Sequence, residues 1–202
     1  MIADLTKGEL GSFGDQYSRK NEASKASKML GILAREQLNF MDGNIENTHE
    51  NRLKVIHLIR KYRPRIILAN AVSDRHPDHK KAADLVREAS FLSGLGKIET
   101  FEQGKMQQKW RAEAVYHYIQ DYFIKPDVVV DITDFFKQKT NVIKAYDTQF
   151  VSAADPSEVG ILNLLKQIEG TNQIFGRAIG VPYAEGFTCE RYIGINNLLH
   201  LI

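Results

Sequence analysis

The chain has 202 residues, 43% hydrophobic and 26% charged, with a formal net charge of +2. This is ordinary globular composition at single-domain length, which excludes intrinsic disorder. The charge balance is too even to drive nucleic-acid binding by electrostatics. Cys189 stands alone, which excludes an internal disulfide or a thiolate metal cluster and fits a reducing cytoplasm. No apolar run approaches membrane-span length, and "MIADLTKGEL" lacks the layout of a secretory signal, so a cytoplasmic protein is expected.

In chain order, "MIADL" reads as a short strand that runs into the glycine-containing "TKGELGSFGD". "SRKNEASKASKMLGIL" places Ala23, Ala26, Met29 and Leu30 at helical spacing, with Gly31 as C-cap. "EQLNF" suits a short strand. Asn47 or Thr48 caps the next helix, where Leu53, Ile56, Ile59 and Arg60 recur at the helical period. Lys61 to Pro64 stops it, and "RIILA" reads as a fully buried strand. Pro77 opens a helix through "DHKKAADLVREASFL".

Gly94 to Arg111 reads as a loop, then "AVYHYI" and "DVVVDI" as strands. "DFFKQKTNVIKAYDTQF" is helical with Thr133 or Asp134 as cap, and "EVGILNLLKQIEGTNQIFG" is a last amphipathic helix. "VPYAEGF" leads into an irregular tail. Helices alternating with short apolar strands predict an α/β fold with a mostly parallel sheet, as one domain over residues 1–202.

The chemistry concentrates in Asp74-Arg75-His76-Pro77-Asp78-His79, between a strand and a helix, where α/β folds place their ligands. His79 can bind zinc through a neutral nitrogen. His76, one turn away, can stabilise an oxyanion or protonate a leaving amine. Asp78 or Asp74 can bond the far nitrogen of a histidine, fixing its tautomer, and Arg75 adds a cation. The bland alternative is a polar helix N-terminus with solvated histidines.

The stretches "DLTKGELGSFG", "SRKNEASKASKMLGI", "NFMDGNIENTHENRLKVI", "RPRIILANAVSDRHPDH", "AVYHYIQD", "KPDVVVDIT" and "GVPYAEGFTCER" occur in this order over nearly the whole chain. Together they resemble the PIG-L/LmbE-like zinc-dependent N-acetylglucosaminyl deacetylases, and more narrowly the bacillithiol biosynthesis deacetylases. The resemblance implies a Rossmann-like fold and hydrolysis of the N-acetyl group of a glucosamine conjugate, N-acetylglucosaminyl malate in the narrower reading. It implies His79 as metal ligand, His76 as the oxyanion-stabilising or acid histidine, Asp78 as the acid that tunes it, and Arg19 and Arg75 as substrate contacts. Tyr183 and Glu185 also match the family, without an assigned role. It further implies a homo-oligomer, hexameric in relatives.

The departure is at the N-terminus. The resembled family opens on a strand and an "HPDDxE"-type loop that supplies a histidine and an aspartate to the metal and another aspartate as base. No such loop occurs here, so the expectation is an N-terminally truncated domain lacking roughly thirty residues, one strand-loop-helix unit. Two of the three protein ligands expected for zinc are then absent, and impaired or no activity follows. A start at an internal methionine is the favoured explanation; a degraded gene or a partner chain that supplies the unit are the others. The alternative function is a non-catalytic truncated paralogue acting in assembly. Nucleic-acid binding through "KKAADLVR" is disfavoured by interleaved acids.

Overall fold

A computed structural model describes residues 1–11, 13–150 and 159–200. The first strand, β1 (Ile2–Asp4), leads through a loop into α1 (Gln16–Leu30). Asp15 caps α1 by accepting from the Tyr17 and Ser18 amides, while Ser18 Oγ accepts from the Asp15 amide. Gly31 ends the helix in the left-handed region at φ 62°, as expected from sequence.

β2 (Arg35–Gln37) pairs in parallel with β1. Thr48 caps α2 (His49–Tyr62), which ends at Arg63 in the left-handed conformation, just before Pro64. β3 (Ile66–Ala69) then runs into the loop that holds the Asp/His motif, and α3 (Pro77–Ser93) begins with Pro77 in its first turn.

The segment read as a loop, Gly94 to Arg111, contains a small hairpin of β4 (Phe101–Glu102) and β5 (Lys105–Met106). Its turn residues, Gln103 and Gly104, both have positive φ (52° and 74°), the primed-turn geometry that suits hairpins.

β6 (Ala114–Tyr118) and β7 (Val128–Asp131) form where expected. The long helix expected from Asp134 is broken into a 3₁₀ turn (Thr133–Phe135), α4 (Phe136–Lys144) and α5 (Asp147–Phe150). Neither Thr133 nor Asp134 caps it through a side chain; the Thr133 amide and hydroxyl instead both bond Asp131 Oδ1. Of the last helix expected, Glu158 lies outside the described residues, and α6 spans Val159–Ala178. The stretch "VPYAEGF", given no element from sequence, holds all but the last residue of β8 (Ala184–Thr188).

The main sheet has the order β3-β6-β8-β7. β3 and β6 are parallel, and β8 runs antiparallel to both β6 and β7. The α/β architecture expected from sequence is therefore present, with the sheet mixed because β8 enters it against its neighbours.

On one side, α2 and α3 pack Val55, Ile56, Ile59, Ala82, Leu85 and Ala89 with Phe40 and Ile45 into the core, and Ile67 of β3 joins them. Burying the larger of these side chains, the valine, leucine, isoleucines and phenylalanine, contributes about 1.5–3 kcal/mol each. Arg60 is buried among them at 3% exposure, and its guanidinium donates to Ser93 O, Leu95 O, Ile98 O and Thr100 Oγ1 at 2.6–3.1 Å. It therefore satisfies carbonyls at and beyond the end of α3 that no helix bond reaches.

β3 is not the fully buried strand that its apolar run suggests. Ile67 and Ala69 face inward, whereas Ile66 and Leu68 are 55% and 59% exposed. An unbroken apolar run reads the same whether both faces are covered or only one. Among the described residues no helix is long and apolar enough to cross a membrane.

Candidate active site

Because β3 and β6 are parallel, their carboxyl ends leave the sheet at the same edge. The loop Asn70–Asp74 and the residues after Tyr118 therefore emerge side by side. Side chains stitch the two together. Gln120 Oε1 accepts from Asn70 Nδ2 and from the Ala71 amide, each at 3.3 Å. Buried His117 bonds Asn70 O through Nδ1 at 2.8 Å. Arg75 Nε pairs with Asp121 Oδ2 at 2.9 Å.

The centre of this cluster is Asp74, whose side chain is fully out of solvent. Its Oδ2 lies 2.9 Å from His79 Nδ1 and accepts weakly from the Asp121 amide at 3.5 Å; its Oδ1 accepts from the Arg75 amide. His79 sits in the first turn of α3, half-buried. The His76 ring, exposed at the N-cap, stacks on it at 5.0 Å between centroids. His76 Nδ1 accepts from the Asp78 amide at 3.2 Å. The two histidines are thus brought together, with His79 held by a buried carboxylate.

The Asp78 carboxylate bonds neither imidazole. It is 4% exposed, its Oδ1 accepts from the Ile45 amide at 3.1 Å, and its Oδ2 has no partner among the described residues. The acid bonded to a histidine is Asp74. Arg75 is largely exposed and committed to Asp121.

Arg19 makes its contacts elsewhere, on α1. Its guanidinium lies beside Gly8, where a Cβ would come within 2.7 Å of Nη2, and 5.9 Å from the Tyr146 ring centre. That guanidinium makes no hydrogen bond or ion pair to a described residue. The loop carrying Gly8 is tied to the segment before α2: Asp42 accepts from Thr6 Oγ1 and the Leu10 amide, and its own amide donates to Glu9. That segment reaches α3 through Ile45 and Asp78. Arg19 and the histidine pair are therefore linked by one continuous set of loops.

Tyr118, at the end of β6, has its phenol pushed up to about 12, first by burial and then by the charge of Asp74. Burial and Asp127 raise the Cys189 thiol, which argues against a nucleophilic role. Sequence reading passed over Gln120 and Asp121 as site residues, although "AVYHYIQD" carried the signal of polar residues directly after a strand.

A catalytic zinc ion normally takes three protein ligands. Among the described residues no three His, Cys, Asp or Glu side chains converge to hold one. The described residues by themselves do not fit the ion; they offer one oriented imidazole, His79.

Residues 1–90, which include the whole Asp/His motif, match the family PIG-L, GlcNAc-PI de-N-acetylase. The chain is similar to the diacetylchitobiose deacetylase of Thermococcus kodakarensis, with 29% identity over 194 residues, covering 90% of the chain and 68% of that protein. Its fold superimposes on the conserved protein TT1542 from Thermus thermophilus with a TM-score of 0.83 and 32% identity, over 96% of this chain and 83% of that one. The N,N'-diacetylchitobiose deacetylase from Pyrococcus horikoshii shares the fold at a TM-score of 0.77 and 23% identity, over 100% of this chain and 77% of its own.

Proposed function

We propose that this chain acts on an N-acetylated amino sugar, and that its Asp74, His76 and His79 belong to the centre that hydrolyses the acetamide. The observation that carries this is the pair of stacked imidazoles on the β3–α3 loop, one of them oriented by a buried carboxylate, within the part of the chain that matches the PIG-L family. His76, exposed at a helix N-terminus, is placed to donate to the carbonyl oxygen as negative charge develops on it. His79 is the imidazole this chain offers to a zinc ion. Arg19, whose guanidinium lies near the Tyr146 ring but makes no hydrogen bond or ion pair to a described residue, suits a carboxylate or hydroxyl of the sugar conjugate. Asp78 supports the site by holding the Ile45 segment to α3.

The finer reading takes N-acetylglucosaminyl malate as substrate, acetate and a free amine as products, a cytoplasmic setting and a homo-oligomer as the working form. Its support is the run of matching stretches and the malate carboxylates that Arg19 could meet.

Calorimetric titration of the 202-residue chain with N-acetylglucosaminyl malate and with diacetylchitobiose tests this. Saturable binding of one of them, weakened by Arg19→Ala and His76→Ala, is the expected result. Amine release in excess zinc is expected to be slow, because the described residues supply one of the ligands that a catalytic ion takes. Binding of neither sugar would overturn the reading. A second reading, a non-catalytic assembly protein, draws on the exposed apolar face of β3. It expects a role that survives His76→Ala with His79→Ala.

A further inference from the structure

We infer that the chain carries a second binding site, a cleft between α3, β6 and the segment after β8, suited to an organic anion with a flat apolar body. Asp74, His76, His79 and Arg19 do not line it, and the inference does not rest on the deacetylase reading.

The cleft encloses about 780 Å³, within the roughly 300–1,000 Å³ of small-molecule sites. It exists because β8 ends at Thr188, opposite His117. Ala114 to Tyr116 therefore have no strand paired on that side among the described residues, and the chain from Cys189 to Gly194 lines the gap instead. Phe91 of α3, Val115 and Tyr116 of β6, and Ile193 supply apolar walls. Two contacts hold the outer wall in place: Arg87 Nε pairs with Glu190 Oε1 at 3.2 Å, and the Cys189 amide donates to Asp127 Oδ2 at 2.9 Å.

Charge decides the ligand. The three carboxylates of the cleft are each taken, Glu88 by Arg52 at 3.3 Å, Glu113 by Arg65 at 2.7 Å, and Glu190 by Arg87. Two arginines are left over. Arg111 lies over the Phe91 ring at 4.7 Å and donates one long bond, 3.4 Å, to Phe91 O. The Arg191 guanidinium makes no hydrogen bond or ion pair to a described residue. A guanidinium stacked on a ring keeps its edge donors free for a carboxylate, phosphate or sulfonate, and the apolar walls beside it suit a ring.

The floor adds a buried polar group. His117 is 2% exposed; its Nδ1 bonds Asn70 O at 2.8 Å, and its Nε2 makes no hydrogen bond to a described residue. A hydroxyl or amino group on the ligand would satisfy that nitrogen. The same bond ties the cleft to the loop that leads to Asp74.

The experiment uses the 202-residue chain without metal or sugar. Anilinonaphthalene sulfonate, a flat aromatic anion that fluoresces on leaving water, is titrated in at constant ionic strength. It is then displaced with phenyl phosphate, inorganic phosphate or benzyl alcohol. One saturable site is expected, with phenyl phosphate the best competitor. Arg111→Gln and Arg191→Gln are each expected to weaken the dye about tenfold, the loss of one charge-assisted hydrogen bond, while Lys137→Gln on α4 leaves it unchanged. Arg191 lies on exposed chain beyond the last strand, so its variant reads the cleft without disturbing α3. Equal displacement by benzyl alcohol or by inorganic phosphate, or dye binding that either arginine variant leaves unmoved, would overturn the inference. Binding confined to a dimer in sedimentation would also overturn it, by giving the cleft to a second copy. Because no sugar takes part, a failed dye titration leaves the deacetylase reading standing, and a failed sugar titration leaves this one.

Discussion

The Ile45 amide donates to Asp78 Oδ1 at 3.1 Å, and both residues are buried, at 3% and 4% exposure. This bond joins the segment before α2 to the first turn of α3, directly beneath the histidine pair. Asp78→Ala leaves a buried amide without an acceptor, which costs about 1–3 kcal/mol. Urea unfolding should show that loss. Asp78→Asn, which keeps an acceptor oxygen, should show a smaller one.

Arg60 secures the far end of the same helix. Arg60→Met keeps much of the side-chain volume but removes a charged donor from the carbonyls of Ser93, Leu95 and Ile98, of which Ser93 and Leu95 keep the Trp110 and Ile98 amides as donors. Hydrogen bonds to charged groups are worth about 1.5–3 kcal/mol each, so a loss on the order of 3 kcal/mol is expected in thermal or urea unfolding. Arg60→Lys, with a charge but no planar fork, should recover only part of it.

The phenol of Tyr118 gives a stability signature at alkaline pH. Its folded-state value, about 12, lies above that of a free tyrosine because burial and Asp74 both disfavour the phenolate. The native chain therefore keeps a proton that the unfolded chain gives up. This contribution is fully present below about pH 10 and is lost as pH rises through the folded value. Stability measured between these limits should fall with pH in the wild type and fall less in Tyr118→Phe. Phenolate absorbance should show one tyrosine titrating late.

Gly186 of β8 lies against α6, where an added Cβ would come within 2.8 Å of the Phe175 ring and 3.0 Å of Pro126. Neither neighbour is a flexible tip. Gly186→Ala is expected to cost about 1–3 kcal/mol through overpacking, readable as a lowered unfolding midpoint.

These elements differ in how far sequence alone reveals them. The start of α3 was legible because local rules fix it: an apolar strand, a polar cluster, then Pro77 at the first turn. Gly31 and Thr48 were legible for the same reason. β8 was not, because Ala184–Thr188 has little strand character; it is a strand through its pairing with β6 and β7 and through Phe175 lying on Gly186. The break between α4 and α5 falls at Ala145 and Tyr146, where the Tyr146 hydroxyl accepts from Arg35 at 2.8 Å across the fold. Such long-range partners leave no periodic trace.

The choice between Asp74 and Asp78 was half legible. Residues one or two apart on a helix do not face each other, which weighs against Asp78 as a partner for either histidine. Only the folded loop, however, shows Asp74 turned inward beneath His79.

The edge strand β3 has a consequence for how the molecule keeps company. Ile66 and Leu68 form an oily strip beside a row of backbone groups with no strand pairing them among the described residues. A rim of that kind is a ready template for any extended polypeptide that meets it. Crowding the chain in solution should therefore favour strand-to-strand association, and a lysine at Leu68 should hold neighbouring molecules apart without touching the imidazoles.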